Sequence, residues 1–421
     1  MDHNAPENTR YKPSINIDQA PRIIVPSLFV GTAYGFVIVA AIMLIFLAKP
    51  LAEGVYGEPW VLVMVHCFTL GFLTMTAMGI LHQWVPVVFD VPPLGTRQAL
   101  VIYVGYMLGV LVFVWGFAEQ WWPVLAIGGG VLASSILMWS IGVLRQLGHS
   151  SKARDVVYQG IRGAVIGLNL VWVLGLFMAL SFLGWWPAYA VLRVHIATAL
   201  VGWMGFLILT VQLKLNPMFS MSRAEGKTSG IPLMLSTGGL GLAWLSMASF
   251  AMLFRIGAVF WVLAVLTTMS QSVYVFAHGK SKDRVFVGVA SAWLLLLMSS
   301  ILAVWLNPLA VVVAFWGMFT LIFSYQSRII PFVVAVAVAK RLPGPNFKAF
   351  FMAQAMHSKN QPIVAGMLGL AGAVLSILGR TQRLPILDEM AGFAGLLLIG
   401  TQVLNLMTAM ARGRNKQPLR Q

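Results

Sequence analysis

Long apolar stretches, separated by short polar or basic segments, run along almost the whole chain. Each is about the 20 residues that an α-helix needs to cross a bilayer, and none shows the ten-residue alternation of a transmembrane β-strand. The pattern predicts an all-α polytopic membrane protein with about 12 transmembrane helices.

The polar segments at the two ends of the sequence set the predicted boundaries of the membrane domain. Residues 1–21 are expected to form a polar cytoplasmic tail, 22–411 the twelve-span membrane domain, and 412–421 a basic cytoplasmic tail. Within the domain, span seven is expected over 231–253, span eight over 257–277, and span twelve from 390.

A short motif recurs in three of the predicted spans. Each copy contains a Met, a Gln eight residues later, and then a Pro and a Phe within the next seven residues. The copies are Met75, Gln83, Pro86 and Phe89; Met204, Gln212, Pro217 and Phe219; and Met318, Gln326, Pro331 and Phe332.

The spacing of these copies is too long for a solenoid repeat. It predicts a pseudo-threefold repeat of a four-helix block, roughly 22–145, 160–277 and 284–411, whose second helix carries the motif. The first two copies also place a His 17 residues before the Gln, at His66 and His195, where the third copy has Leu309.

Composition and charge agree with a membrane protein. Hydrophobic residues make up 59% of the chain and charged residues 10%, whereas about a quarter of the residues in a soluble domain are charged. The net charge of +16 comes from 28 Lys and Arg, and only five of these are predicted to lie on the side opposite the termini. They are Lys49, Arg193, Arg255, Arg380 and Arg383.

This asymmetry predicts that both termini lie in the cytoplasm. The basic charge therefore decorates cytoplasmic loops and does not indicate a nucleic-acid partner. The single cysteine, Cys67, excludes an intramolecular disulfide and a thiolate metal cage.

His66 and His195 are the sharpest candidates for chemistry. Ionisable groups inside a membrane are costly, and a neutral imidazole is a good ligand for heme iron or copper. The alternative is that each ring donates to a backbone carbonyl or to a Ser or Thr on the next helix. His82, beside Gln83, is expected at the membrane interface.

The three Gln residues of the motif are expected to have structural roles. The amides of Gln83, Gln212 and Gln326 could bridge adjacent helices, and the Pro that follows each is expected to close its span.

The stretch HCFTLGFLTMTAMGILHQWVPVVF, the twelve spans and the threefold repeat together resemble subunit I of the heme-copper oxidase superfamily, and its C-family oxidases and oxidase-like relatives most of all. The resemblance implies that His66 is an axial ligand of a low-spin heme and that His195 stands at the family's span-six copper ligand. The chain lacks the family's His-His pair in span seven and His-x-His pair in span ten. Heme is therefore the candidate cofactor, and copper is not expected.

Three functions remain open at this point. The first is a heme-binding protein in electron transfer, or in handling or sensing O2 or NO, without being a complete oxidase. The second is a cofactor-free scaffold that acts as a transporter or as an assembly partner for respiratory complexes. The third is the catalytic subunit of a terminal oxidase or nitric oxide reductase.

If the protein is an enzyme, it is an oxidoreductase. The expected partners are the lipid bilayer and cytochrome c or other respiratory subunits.

Overall fold

The computed structural model describes residues 17–153, 155–182, 189–222, 230–248, 251–339, 356 and 358–415. Every regular element in these ranges is a helix. Of the two predicted tails, residues 1–16 and 416–421 lie outside the described ranges.

The long helices are α1 (Ile24–Phe46), α2 (Pro59–Phe89), α3 (Thr96–Ala118), α4 (Trp122–Gly148), α5 (Val156–Phe182), α6 (Tyr189–Ala197, Thr198–Gly205 and Phe206–Ser220), α7 (Ile231–Leu245), α8 (Ala251–Ala277), α9 (Val285–Val304), α10 (Leu309–Ala339), α11 (Gln361–Gln382) and α12 (Pro385–Asn415).

The predicted all-α polytopic membrane fold is confirmed. Among the described residues, eleven helices are long and apolar enough to cross a membrane, and α7 is a shorter apolar helix of 15 residues. The predicted boundary between spans seven and eight was wrong, because α7 ends at Leu245 and α8 begins at Ala251. Arg255 therefore lies inside α8, where its long exposed side chain can reach the polar region while its backbone remains helical.

The helices pack in the same order in each four-helix block. The first helix of a block packs against the second, and the third packs against the fourth. The fourth helix then packs against the first helix of the next block, and α12 closes the ring against α1. A Cβ at Gly392, near the start of α12, would lie 2.5 Å from Ile45, near the end of α1, so these two helices are antiparallel.

The second helix of each block is the most deeply buried. In their most apolar stretches, 61% of the residues of α2, 56% of α6 and 72% of α10 are buried, against at most 50% in any other span. The three helices that carry the repeated motif thus form the inside of the bundle, and the other helices surround them.

The proline of the motif lies inside the last turns of its helix and does not end it. Pro86 is within α2, which closes only at Asp90, a residue in the left-handed conformation (φ 54°). The α6 helix likewise contains Pro217 and closes at Met221 (φ 52°). The expectation that Pro closes each span was wrong, since the Pro lacks only one backbone donor and the helix continues past it.

Close contact between α5 and α6 gives a first testable prediction. A Cβ added to Gly167 would lie 2.1 Å from the carbonyl oxygen of Gly202, a contact that requires the two backbones to separate. We expect Gly167→Ala to lower the free energy of unfolding by about 1–3 kcal/mol or more. The matched control is Gly130→Ala in α4, where a Cβ meets nothing within 4 Å and alanine favours the helix.

The thermal unfolding midpoint of the two detergent-purified variants measures this difference. Equal midpoints for Gly167→Ala and the wild type would show that α5 and α6 are not packed through their backbones.

Candidate functional site

Both candidate histidines precede a segment of π-helix. The α2 helix becomes a π-helix over the eight residues Cys67–Thr74, immediately after His66. The α6 helix does the same over the eight residues Thr198–Gly205, shortly after His195. The equivalent helix α10, which starts with Leu309 where the others have His, is α-helical throughout. Because π-helical segments are rare and are often found at functional sites, their coincidence with the two histidines marks this region.

The ring of His66 is held in one tautomer. Its Nδ1 lies 2.7 Å from the carbonyl oxygen of Leu62, one turn earlier in α2. A carbonyl can only accept, so Nδ1 carries the proton and Nε2 presents a lone pair. The ring stacks on Phe117 of α3 with centroids 5.1 Å apart and meets the edge of Phe113 at 5.2 Å. His82 makes the same contact one turn earlier in its helix, so the bond fixes the ring of His66 without by itself indicating a metal ligand.

His195 lies on α6, in the same region of the bundle as His66, with the backbone of Val171 in α5 beside it. Its Nδ1 is buried and has no hydrogen-bond partner. Gly175 leaves space for the ring, since a Cβ there would lie 3.4 Å from the Cε1 of His195. The fold therefore places the two histidines that the repeat singled out in one region, and His195 keeps a buried ring nitrogen without a partner.

Phenylalanine rings fill the contact between α2 and α10. Phe68 lies 5.0 Å from Phe315, and Phe72 stacks on Phe323 at 5.6 Å, with Phe319 against both Phe68 and Phe72. Aromatic side chains therefore occupy the contact between these two helices.

The structure buries His82, which was expected at the membrane interface, between neighbouring helices. The residue is 5% exposed, and its Nδ1 lies 2.9 Å from the Met78 carbonyl oxygen and 3.2 Å from the indole nitrogen of Trp139. Its Nε2 is buried without a hydrogen-bond partner. The ring packs on Phe29 of α1, so neighbouring helices cover a position that the sequence places near a helix end.

Buried polar and aromatic contacts hold α2 against α3 and α6, and no sequence pattern predicted them. The indole nitrogen of Trp203 in α6 donates to Thr74 in α2 at 3.1 Å. The hydroxyl of Tyr106 in α3 donates to the carbonyl of Leu70, which lies in the π-helical segment of α2. Trp203 also meets Trp139 edge to face at 6.0 Å. These contacts fix α2 against α6 beside the two histidines.

The three motif glutamines are all buried, and two of them join helices. Gln212 accepts a hydrogen bond from Ser272 of α8 at 3.2 Å, and Gln326 accepts one from Tyr34 of α1 at 2.7 Å. The Nε2 of Gln326 has no partner. Gln83 is 8% exposed. All three lie towards the C-terminal ends of their helices, away from His66 and His195.

Two buried ion pairs lie outside the histidine region. Arg328 in α10 makes a two-pronged contact with Asp283, at 2.8 Å from Nε and 2.5 Å from Nη2. Arg380 in α11 lies 3.5 Å from Asp388, which is fully buried. The predicted start of span twelve at 390 was wrong, because α12 begins at Pro385 and buries Asp388 in its first turn against this arginine.

The described residues contain no group of three or more His, Cys, Asp or Glu that could hold a metal ion. A bare metal ion at the histidine pair would therefore have to complete its coordination with other atoms. A heme supplies four ligands from its own porphyrin, and needs only axial ligands from the protein. The donor set of two imidazoles fits a heme better than a free ion.

Comparison with known proteins places no further constraint on the chain. No protein-family model matches the sequence, and no curated protein matches it.

Proposed function

We propose that this protein binds heme between the first two four-helix blocks, with His66 and His195 as candidate axial ligands. It would act in electron transfer, or in handling or sensing a diatomic gas such as O2 or NO. The observation that carries the proposal is the pairing itself. Two histidines at equivalent positions of a repeat, each beside a π-helical segment, lie in the same region of a membrane bundle.

The chemistry of the pair agrees with this role. Burial keeps both imidazoles neutral in the membrane interior, and neutral imidazole is the form that ligates iron. The hydrogen bond from Nδ1 of His66 to Leu62 fixes the ring and leaves Nε2 as the donor atom. When bound, a heme would supply the one-electron and gas-binding chemistry that the side chains lack.

The proposed protein is not a complete oxidase. The sequence from Ile231 to Phe254 contains no His, and neither does the stretch from Leu309 to Arg328. The resemblance places the copper ligands and the second heme ligands in these two stretches. We therefore propose no copper centre, and cytochrome c or other respiratory subunits enter the proposal only as electron-transfer partners. The proposed setting is a bacterial inner membrane with both termini in the cytoplasm, supported by the distribution of Lys and Arg.

A cofactor-free transporter or assembly partner is the second candidate, and one feature of the third block favours it. Tyr34 in α1 donates a hydrogen bond to Gln326 in α10, and Gln402 in α12 accepts one from Gln361 in α11. Gln326, Gln361, Gln402 and the nearby Asn405 all have buried polar atoms without a partner. Such atoms are costly in a membrane interior unless water or a solute satisfies them.

The wild-type protein gives the first test. A reduced-minus-oxidised spectrum and a pyridine-hemochrome assay of the detergent-purified protein should show heme at about one per chain. Purified, folded protein with no Soret absorption after expression with added heme precursor would reject heme binding, and the second candidate would then become the working function.

A further inference from the structure

A cavity of about 200 Å³ lies between the second and third blocks, on the opposite face of α6 from His195. It is half open to the surroundings, and its walls come from α6, α7, α8, α9 and α10. Small side chains make the space. They include Ala197, Ala243, Ala258, Ala303, Ala310 and Ala314.

The cavity is not a region of loose helix packing. One of its walls is a close helix crossing, where a Cβ at Gly257 of α8 would lie 2.5 Å from the carbonyl oxygen of Gly239 in α7. The helices thus meet closely on one side of the cavity and stay apart on the other. The hydroxyls of Ser299 and Ser300, which also line it, already donate to the carbonyls of Ala310 and Leu297. They offer no unused donor to a ligand.

One charged side chain lines this mainly apolar space. Arg193, near the start of α6, is exposed, and no acidic side chain is among the residues that line the cavity. An apolar cavity favours an apolar chain, and a lone guanidinium at its margin favours a carboxylate or phosphate. The combination matches an amphiphile with one apolar chain and an anionic head.

We propose that this cavity binds an anionic amphiphile, with the part of the apolar chain nearest the head among α7, α8 and α10 and the anionic head beside Arg193. The chemistry fits either a long-chain carboxylate or an acyl chain of an anionic phospholipid. The site is separate from the histidine pair and does not depend on heme. No His is among its lining residues.

Trp261 lines the cavity and provides a direct readout. A long-chain carboxylate brominated on its chain should quench the tryptophan fluorescence of the detergent-purified protein with a saturable dependence on concentration. Replacing this tryptophan (Trp261→Phe) should remove that saturable component, because bromine quenches only at short range. Quenching that is unchanged in Trp261→Phe would overturn the proposal.

The charge of Arg193 is tested by a matched pair of variants. Arg193→Gln should weaken binding of the brominated carboxylate by about fivefold, the upper range for one partly exposed ion pair. Arg255→Gln, which removes an exposed arginine of α8 that does not line the cavity, should leave binding unchanged. The neutral methyl ester of the same probe should bind more weakly than the acid and equally to both variants. Equal affinity of wild type and Arg193→Gln for the acid would reject the role of the charge and with it the proposal.

Filling the cavity tests its position. Ala258→Leu and Ala303→Leu each add side-chain volume inside it, from two different helices, and at least one is expected to remain folded by gel filtration. A folded filled variant should lose saturable quenching, and unchanged binding in a folded variant would contradict the proposal.

A brominated anionic phospholipid, measured in parallel, identifies the source of the ligand. Quenching by the phospholipid supports a membrane lipid, and quenching by the free acid alone supports a fatty acid.

Discussion

Replacing His66 or His195 by alanine is expected to remove the heme from the purified protein. The two histidines lie in one region across the first two blocks; Nδ1 of His195 is buried without a partner, and Nδ1 of His66 is held by the carbonyl of Leu62. Loss of an axial ligand should lower the bound heme to below about a tenth of the wild-type stoichiometry, or shift the Soret band if one ligand alone retains the group. Pyridine-hemochrome quantitation and the reduced spectrum of each variant measure both effects.

His82→Ala is the matched control for these variants. His82 is a buried histidine of α2 whose Nε2 has no partner. Replacing it by alanine therefore removes the same side chain, from the same helix, as His66→Ala does. It packs against Phe29 and Trp139, away from His195, and we expect its loss to leave the heme content unchanged.

The pattern across the three variants separates two kinds of failure. Heme that is lost in His82→Ala but kept in His66→Ala and His195→Ala would show that heme binds with other ligands. A wild-type protein without heme would instead reject the proposed function itself. Added imidazole that restores the spectrum of His66→Ala would show that the space left by the ring, and not a general loss of structure, accounts for the effect.

Removing the carboxylate of Asp283 is expected to cause the largest loss of stability. Arg328 is only 4% exposed, and Asp283 holds its guanidinium through two contacts, of 2.8 Å and 2.5 Å. Asp283→Ala would leave a buried, uncompensated charge, which typically costs about 3–5 kcal/mol. The thermal unfolding midpoint of the purified variant, measured against the wild type, should therefore fall strongly.

An exposed ion pair of the same kind provides the control. Lys214 and Asp155 lie 3.7 Å apart, with side chains 41% and 28% exposed. Solvent screens such a pair, and Asp155→Ala should cost about 1 kcal/mol or less. The double variant Asp283→Leu with Arg328→Met removes both buried charges and should recover much of the lost stability. If Asp283→Ala and Asp155→Ala lowered the midpoint equally, the buried pair would not be a structural element of the bundle.

The repeat predicted more of the architecture than hydropathy did. It singled out the helices that carry Met75, Met204 and Met318, and these are the most buried helices of the bundle. Hydropathy alone placed the end of α7 and the start of α8 wrongly, since it measures the polarity of a segment and not its backbone conformation. The same limit applied to the start of α12, where Arg380 neutralises Asp388 and allows an acidic residue to be buried.

The candidate site was predictable only in part. His66 and His195 stood out because a costly residue recurred at the same place in two copies of a motif. Their proximity, the π-helical segments beside them and the hydrogen bond from Trp203 to Thr74 were not visible in the sequence. These features depend on which faces of α2 and α6 meet, and local sequence does not specify that choice.

By itself, the sequence determined that the protein is helical, spans a membrane and consists of a four-helix block that occurs three times. Those properties follow from the length and apolarity of each segment and from the repeat, which are local or additive along the chain. Only the tertiary structure decided which apolar residues face the bundle interior. Lipid tails are as apolar as leucine, so Trp115, 53% exposed, and Trp139, fully buried, look equally hydrophobic in the sequence. For the same reason the burial of His82, the phenylalanine contact between α2 and α10 and the cavity beside Arg193 emerged only when the helices were packed.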